Sequence, residues 1–433
     1  MLGAIAHTAR NQFSEKRHML PDFVCAARHR PPESGWPNRV MVLAAGLLLA
    51  MSSQAQTLGS ALEQAWTRHP QAAVFSARES EAQARAELAA GLTPGPASVS
   101  LSNLTDRFNA NGGKNEWELE LAVPLWLPGQ RAARGLEAGG ATAQVAARRA
   151  ALRLQIAGEL RDAWWALALA RQALDLGERR DAAARVLEAD VLRRFKAGEL
   201  ARLDSNLAQN ERLAAEGELL EVRSALRQAE QNYRLLTGEA APALLNEETP
   251  ASAQDLVATH PQLAAAQAAV RLAQARLGVA QQNRREAPEL ALRVVRDRGD
   301  LNAPYANMVG VKLTVPFSSG ARVRQETSAA QVEAAQADAE LALEQQRVEL
   351  DAARARLNLD AAQQQLARAQ ERRALTADTL RLNEKSFALG ESDLASLLRA
   401  RTAAFEAEAL FSRQQIARFA ALSRLNQSLG ALP

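Results

Sequence analysis

The chain has 433 residues, only 4% of them aromatic, with 23% charged and a formal net charge of +3 at pH 7. A length of this order ordinarily gives two or three globular domains, but the dominance of Ala, Leu, Gln, Glu and Arg is that of long helices packed through narrow seams, which excludes an aromatic-rich core. Six of the 52 basic and three of the 49 acidic residues fall in the first 55 positions, leaving 46 of each, and that balance excludes the electrostatic footprint of a nucleic-acid binder.

The first element is a leader, residues 1–55. Arg39 precedes the apolar run VMVLAAGLLLAM, Val40 to Met51, and then SSQAQ, in which Ser53 and Ala55 suit the small-residue positions ahead of a signal-peptidase cut. Twelve apolar residues are too few to span a bilayer and suit the core of a signal peptide, so export with cleavage after Ala55 is expected. The segment ahead of Arg39 is either a real extension or the product of an upstream start. Cys25, the one cysteine, lies in this leader, so the processed chain has no thiol for a disulfide, a metal site or a nucleophile. His69 and His260 alone among five histidines lie beyond it, each directly before a proline where a helix begins, a capping position. With no glycine-rich phosphate loop and no H-E-x-x-H, neither enzymatic chemistry nor a cofactor nor a metal site is expected.

Residues 56–240 read as a first structural repeat. A helical pattern runs from Leu58 to Arg68, and a second helix from Pro70 to about Ala90 is broken by TPGP at Thr93 to Pro96. A strand hairpin is expected over about 97–124. In ASVSLS, Val99 and Leu101 oppose Ser98, Ser100 and Ser102, and after the polar turn FNANGGKN the stretch EWELELAV sets Trp117, Leu119, Leu121 and Val123 against Glu116, Glu118 and Glu120. A long helix without proline follows over about 131–194, roughly 95 Å at 1.5 Å per residue. The turn FKAGELARLD leads into a return helix over about 201–236.

Residues 241–433 read as a second copy. Val123-Pro124 recurs as Val315-Pro316, Phe195 and Gly198 recur as Phe387 and Gly390, and Gly238 recurs as Gly430, all at an offset of 192; TRHPQ recurs as ATHPQ at 191. That period is too long for a solenoid repeat and marks a duplicated half-protein. The same order is expected: a short helix, a helix from Pro261 to about Arg284, a hairpin over about 289–317, a long helix over about 321–386 and a return helix over about 392–429. Leu290, Leu292 and Val294 oppose Ala291 and Arg293, and Val309, Val311, Leu313 and Val315 oppose Gly310, Lys312 and Thr314. Leu160, Leu167 and Leu174, and in the twin Leu343, Leu350 and Leu357, recur every seven residues, the spacing of a coiled-coil seam. One long helix is expected to be balanced by two shorter ones placed end to end, the return helix over about 201–236 and the helix from Pro261, with LTGEAAPALLNEETP as the joint between them. Trp164-Trp165 suits packing between helices.

Strands of about nine to eleven residues have the length of tilted membrane-spanning strands. Four of them cannot close a membrane barrel, for which about eight is the minimum, so oligomerisation is part of the reading. Glu116, Glu118, Glu120, Arg293 and Lys312 then line the lumen. A small soluble sheet is the competing reading of the strand pattern taken alone.

The duplicated halves, one hairpin per half ending in VPL or VPF, the long helices and the F-x-x-G turns together resemble the TolC-like outer-membrane efflux proteins over essentially all of residues 57–433. The resemblance implies a mainly α fold with a membrane β-barrel contribution. Three copies would each give four strands to a twelve-stranded outer-membrane barrel, continued by a periplasmic α-helical tunnel. The implied partners are two further copies, a periplasmic adaptor, an inner-membrane pump of the RND type and outer-membrane lipid; nucleic acid is not among them. VPLWLPGQRAAR, Val123 to Arg134, is similar to the P-L-x-x-x-G-[KQ]-R-x-x-R segment of the CzcC-like heavy-metal and cation branch, which puts metal cations first as cargo and drugs or other organic molecules second. By the same resemblance the turns meet the adaptor through Phe195, Gly198, Glu199 and Leu200 and through Phe387, Gly390 and Glu391. The family closes its pore with side-chain rings just beyond those turns. The matching positions here are Asp204 in the first half and Ser396 and Arg399 in the second, with Asp393 nearby, so an acidic second-half ring is absent. Arg399 either faces the pore or pairs with Asp204. A periplasmic adaptor or a purely structural coiled coil are the competing classes.

Overall fold

The computed structural model describes residues 57–251, 259–317 and 320–433. The leader, its cut after Ala55 and the short helix expected ahead of His260 lie outside them. The chain divides after Gln54 into two units, and every described residue belongs to the second. In that unit α1 (Leu58–Arg68) and α2 (Pro70–Ala90) precede a hairpin of β1 (Ser98–Thr105) and β2 (Asn115–Pro124). The long helix α3 (Gln130–Lys196) and its return helix α4 (Arg202–Thr237) complete the first half. The second half supplies α5 (Pro261–Gln282), β3 (Glu289–Arg298), β4 (Ala306–Thr314), the long helix α6 (Gly320–Ala388) and its return helix α7 (Leu394–Ser428).

Local chemistry sets these boundaries. Thr57 caps α1 by accepting the Ser60 N–H at 3.2 Å. The two histidines play one role twice. His69 and His260 stand before the proline that opens α2 and α5, and each Nδ1 accepts a backbone N–H two residues on, from Gln71 at 3.3 Å and Gln262 at 3.2 Å. The β1–β2 turn is tied by Asp106, whose carboxylate accepts the Gly112 N–H at 2.8 Å.

The four strands form one antiparallel sheet in the order β1-β2-β3-β4, so the β2–β3 pair joins the two halves and β1 and β4 hold its edges. Opposed residues fall into rungs: Leu101, Leu119, Val294 and Val309 share one, and Ser100, Glu120, Arg293 and Gly310 the next, on the opposite face.

The 67-residue α3 packs against α2 and α5 near the sheet and against α4 and α7 beyond, and the 69-residue α6 packs first on α5 and then on α7. The end-to-end arrangement is visible at two glycines of α3: Gly140 lies against Leu272 of α5, and Gly177 lies against Leu219 and Val222 of α4. Trp164 and Trp165 do pack between helices. They join α1, Ile156, Ala157 and Leu160 of α3, Tyr233 of α4, and Ile416 and Phe419 of α7 in one core. Trp165 stacks on Phe419 with ring centroids 5.7 Å apart. Burial pushes the Tyr233 phenol up to about 12, so it stays neutral.

The expected leucine seams behave differently in the two halves. Leu160 and Leu167 are buried, whereas Leu343, Leu350 and Leu357 are all exposed. The physical reason is register. Within the chain α6 is sealed by Ala334, Val348, Ala355, Ala362 and Ala369, small residues that share one heptad position. The leucines follow two positions later, about 200° round a helix of 3.6 residues per turn. They face away from the rest of the chain.

A buried polar network crosses this waist. The Arg161 side chain is 2% exposed and forms an ion pair at 2.9 Å with Glu248, itself 9% exposed, in the joint after α4. Arg161 also donates to Gln427 and, at 3.0 Å, to the Ala431 carbonyl. Glu248 accepts from Ser423, and Asn426 donates to the Thr249 carbonyl at 2.9 Å.

His260 is 2% exposed and lies against Gly430, where a Cβ would come within 2.8 Å of the imidazole. Burial lowers its pKa from the ordinary 6.5. The neutral ring is the form that fits, so its contribution to stability is whole above pH 6.5 and is lost as pH falls through the lowered value. Thermal unfolding followed from neutral to acidic pH is expected to show a falling midpoint in that window. His260→Asn, which can still cap α5, is expected to flatten that component; an unchanged slope would remove His260 from the acid response.

Candidate functional site

The two turns at the end of the helical bundle are built alike. Gly198 and Gly390 adopt φ of 81° and 75°, and a Cβ at either would meet nothing within 4 Å. Glycine is needed there for its left-handed backbone and not for space. The Glu199 N–H reaches the Arg194 carbonyl and the Glu391 N–H reaches that of Ser386, both at 2.9 Å, so each turn takes up the carbonyls its long helix leaves open.

The acids beside the turns do the same task from different positions. In the first half the residue before α4 is Ala201, and Asp204 reaches back to accept its N–H at 3.1 Å. In the second half the corresponding place holds Asp393, which caps α7 by accepting the Ser396 N–H at 2.9 Å. Hydrogen bonds from Ser396, with the Arg399 charge beyond them, hold the Asp393 carboxyl below the ordinary carboxylate range. Arg399 is exposed and donates Nη2 to the Ser396 Oγ at 2.9 Å. Its partner is therefore Ser396 and not Asp204. Asp393, Ser396 and Arg399 are brought together on one turn of helix, and Asp204 stands apart in its own cap.

Phe195 and Phe387 are not equivalent. Phe195 is 36% exposed, but Phe387 is 7% exposed. Phe387 packs with Leu187 and Val191 of α3, Ala208 of α4, and Leu394 and Leu397 of α7, with Leu200 half-buried against the same cluster. The Arg194 guanidinium lies 5.4 Å from the Phe387 ring. Phe387 and Leu200 thus hold the two turns together. The open surface is Phe195, Gly198 and Glu199 from one turn and Leu389, Gly390 and Glu391 from the other. Phe387→Ala is expected to cost about 3–5 kcal/mol, and Phe195→Ala less than about 1 kcal/mol. Chemical unfolding of the two variants checks this, and equal losses would contradict it.

In the sheet, register places Glu116, Glu118, Glu120, Arg293 and Lys312 on one face. Glu118 pairs with Arg293 at 3.2 Å. Lys312 reaches over the small Ala291 of β3 to Glu120 at 3.3 Å. Ala122, Ala291 and Val295 on that face are buried, while Val99, Leu101, Trp117, Leu119, Leu121, Leu292, Val294, Val309 and Val311 on the other are exposed. On the central strands β2 and β3 the buried positions all lie on the polar face and the apolar face is open, the reverse of a soluble sheet.

The segment VPLWLPGQRAAR proves to be the joint between sheet and bundle. The Trp126 indole donates to the Gly91 carbonyl at 3.2 Å, Gln130 donates to the Asn283 side chain at 2.9 Å, and Arg131 donates to the Ala90 carbonyl at 2.6 Å. These residues tie α2, α5 and the strand end together.

Among the described residues no group of three or more His, Cys, Asp or Glu is placed to hold a metal ion, and no described helix is long and apolar enough to cross a membrane. Residues 253–431 match the model of the outer membrane efflux protein family. No curated protein sequence matches the chain. Solved structures do. The outer membrane protein VceC of Vibrio cholerae superposes with a TM-score of 0.72 at 17% identity over 86% of this chain and 96% of its own. The CmeC outer membrane channel of Campylobacter jejuni gives 0.70 at 14% identity over 93% and 94%. The open state of the MtrE outer membrane channel of Neisseria gonorrhoeae gives 0.69 at 16% identity over 86% and 89%. The chain has the fold of these outer-membrane channels.

Proposed function

We propose that the chain is an outer-membrane efflux protein, one of three identical subunits of a channel that conducts cargo from a periplasmic adaptor and an inner-membrane pump of the RND type to the exterior. The observation that carries this reading is the inverted sheet: ionised pairs on the sheltered face, exposed Leu, Val and Trp on the other, and free edges at β1 and β4. An apolar face of this kind is matched to lipid, and open edges call for pairing with further strands. Three copies supply twelve strands, and the exposed leucines of α6 supply a seam for the neighbouring subunit.

Heavy-metal cations are the first choice of cargo, supported by the likeness of VPLWLPGQRAAR to the cation branch. Arg399 favours a second choice of organic molecules, because three exposed guanidiniums near an exit path disfavour cation passage. Membrane fractionation is expected to recover the protein as an outer-membrane trimer; a soluble periplasmic monomer would sink the channel reading. Deletion of the gene is expected to raise sensitivity to divalent metals, and sensitivity to drugs alone would select the second cargo.

A further inference from the structure

The open face of the sheet changes character in ordered rungs. Val123, Leu290 and Leu313 form one, Val99, Leu121, Leu292 and Val311 the next, and Leu101, Leu119, Val294 and Val309 the third. The fourth holds Asn103, Trp117, Arg296 and Asn307, and beyond it Asn115 faces Arg298. The first four rungs cover about 20 Å at 3.4 Å per residue. Apolar residues thus give way to a tryptophan and then to asparagine and arginine, the order expected where lipid tails meet headgroups. This boundary lies at the hairpin tips, away from the helices.

Two cations stand there without an acid. The Arg296 and Arg298 guanidiniums lie 4.5 Å and 5.1 Å from the centre of the Tyr305 ring. Among the described residues neither has a carboxylate within ion-pair distance. Asp297 projects to the opposite face, Asp300 is taken up by the N–H groups of Asn302 and Ala303, and Asp106 by that of Gly112. Toward the described residues Arg298 spends only its Nε, on the Gly113 carbonyl at 3.1 Å. Two like charges gathered on one ring repel, and an anion bound between them removes that cost while using the donors they leave free.

We propose that Arg296, Arg298 and Tyr305 form a docking site for the phosphate of an anionic lipid headgroup in the outer leaflet. The site rests on the outer-membrane reading, and its test separates the two. The full-length trimer is placed in nanodiscs of phosphatidylcholine containing diphosphorylated lipid A, and the lipid A retained per trimer is counted by native mass spectrometry. Arg296→Gln with Arg298→Gln is expected to lower retention about tenfold, equivalent to roughly 1.4 kcal/mol. Arg347→Gln on α6 leaves it unchanged. Arg296→Gln alone makes the test robust, since the Arg296 side chain makes no hydrogen bond to any described residue, and it is expected to give a partial loss. Equal retention by wild type and variants, or equal retention of dephosphorylated lipid A, would overturn the site. Equal displacement by inorganic phosphate would reduce it to a free-ion site and overturn the headgroup assignment. A protein that fails to enter the nanodisc overturns the membrane reading and this site together. One that enters without retaining lipid A overturns this site alone.

Discussion

Arg161→Ala is expected to lower stability by about 3–5 kcal/mol, the cost of leaving a buried charge without its partner. Arg161 donates to both Glu248 oxygens at 2.9–3.2 Å and joins α3 to the joint after α4 and to the residues that follow α7. Without the guanidinium, Glu248 keeps among the described residues only the Ser423 hydroxyl and a long contact to Asn426 in a site almost closed to water. Thermal unfolding of the purified protein reads the loss directly. The double variant Arg161→Met with Glu248→Leu is expected to recover most of it, because an apolar pair of similar volume carries no desolvation cost. A single-variant loss under about 1 kcal/mol would mean that neighbouring helices, and not this network, hold the waist.

Arg399→Ser is expected to shift the channel toward cations. The side chain is exposed beside Asp393, whose carboxyl is held ionised by Ser396. In the proposed trimer, removing the guanidinium would therefore leave an acidic ring in place of a mixed one. A unit charge at 4 Å in water is worth about 1 kcal/mol, so the local cation preference is expected to rise roughly fivefold. Reversal potentials across a planar bilayer under a salt gradient measure this. Asp393 adds to the cation preference of the variant only while it is ionised, so that preference is expected to fall on acidification, whereas the difference from the wild type, set by a guanidinium that stays charged, is expected to persist. An unchanged reversal potential would take Arg399 out of the gate.

The long helices, the hairpins and the duplication were legible because each rests on a local signal: absence of proline, alternation of period two, and a repeated spacing. The polar face of the sheet was legible for the same reason, since Glu116, Glu118 and Glu120 alternate with Trp117, Leu119 and Leu121. What alternation does not carry is register, and so the Glu118–Arg293 and Glu120–Lys312 pairs had to come from the structure. The exchange of capping roles between Asp204 and Asp393 was hidden by the 192-residue offset, which aligns Asp204 with Ser396 and makes a displaced cap look like a lost charge. Arg161 did leave a trace. It interrupts a helical stripe of Leu154, Ala157, Trp164 and Ala168, all buried, and a lone arginine on such a stripe implies a buried acid elsewhere. Phe195 and Phe387 show the limit of symmetry: identical motifs meet different neighbours, because the second turn packs on α3 and α4 and the first has no counterpart to cover it.

The β2–β3 pair also sets an order of events. Its Glu118 and Arg293 are 175 positions apart in the chain, with α3, α4 and α5 in between. Such a pairing closes late, because the intervening chain must first be brought to order. Until then each hairpin is an isolated pair of strands, marginal by itself, with apolar side chains bare to water. Afterwards β1 and β4 still offer unsatisfied backbone groups to any strand that arrives. In the proposed trimer each newly made copy therefore passes through a sticky interval that pairing with its sister copies would end, and the rate at which those copies meet would govern whether it matures or aggregates.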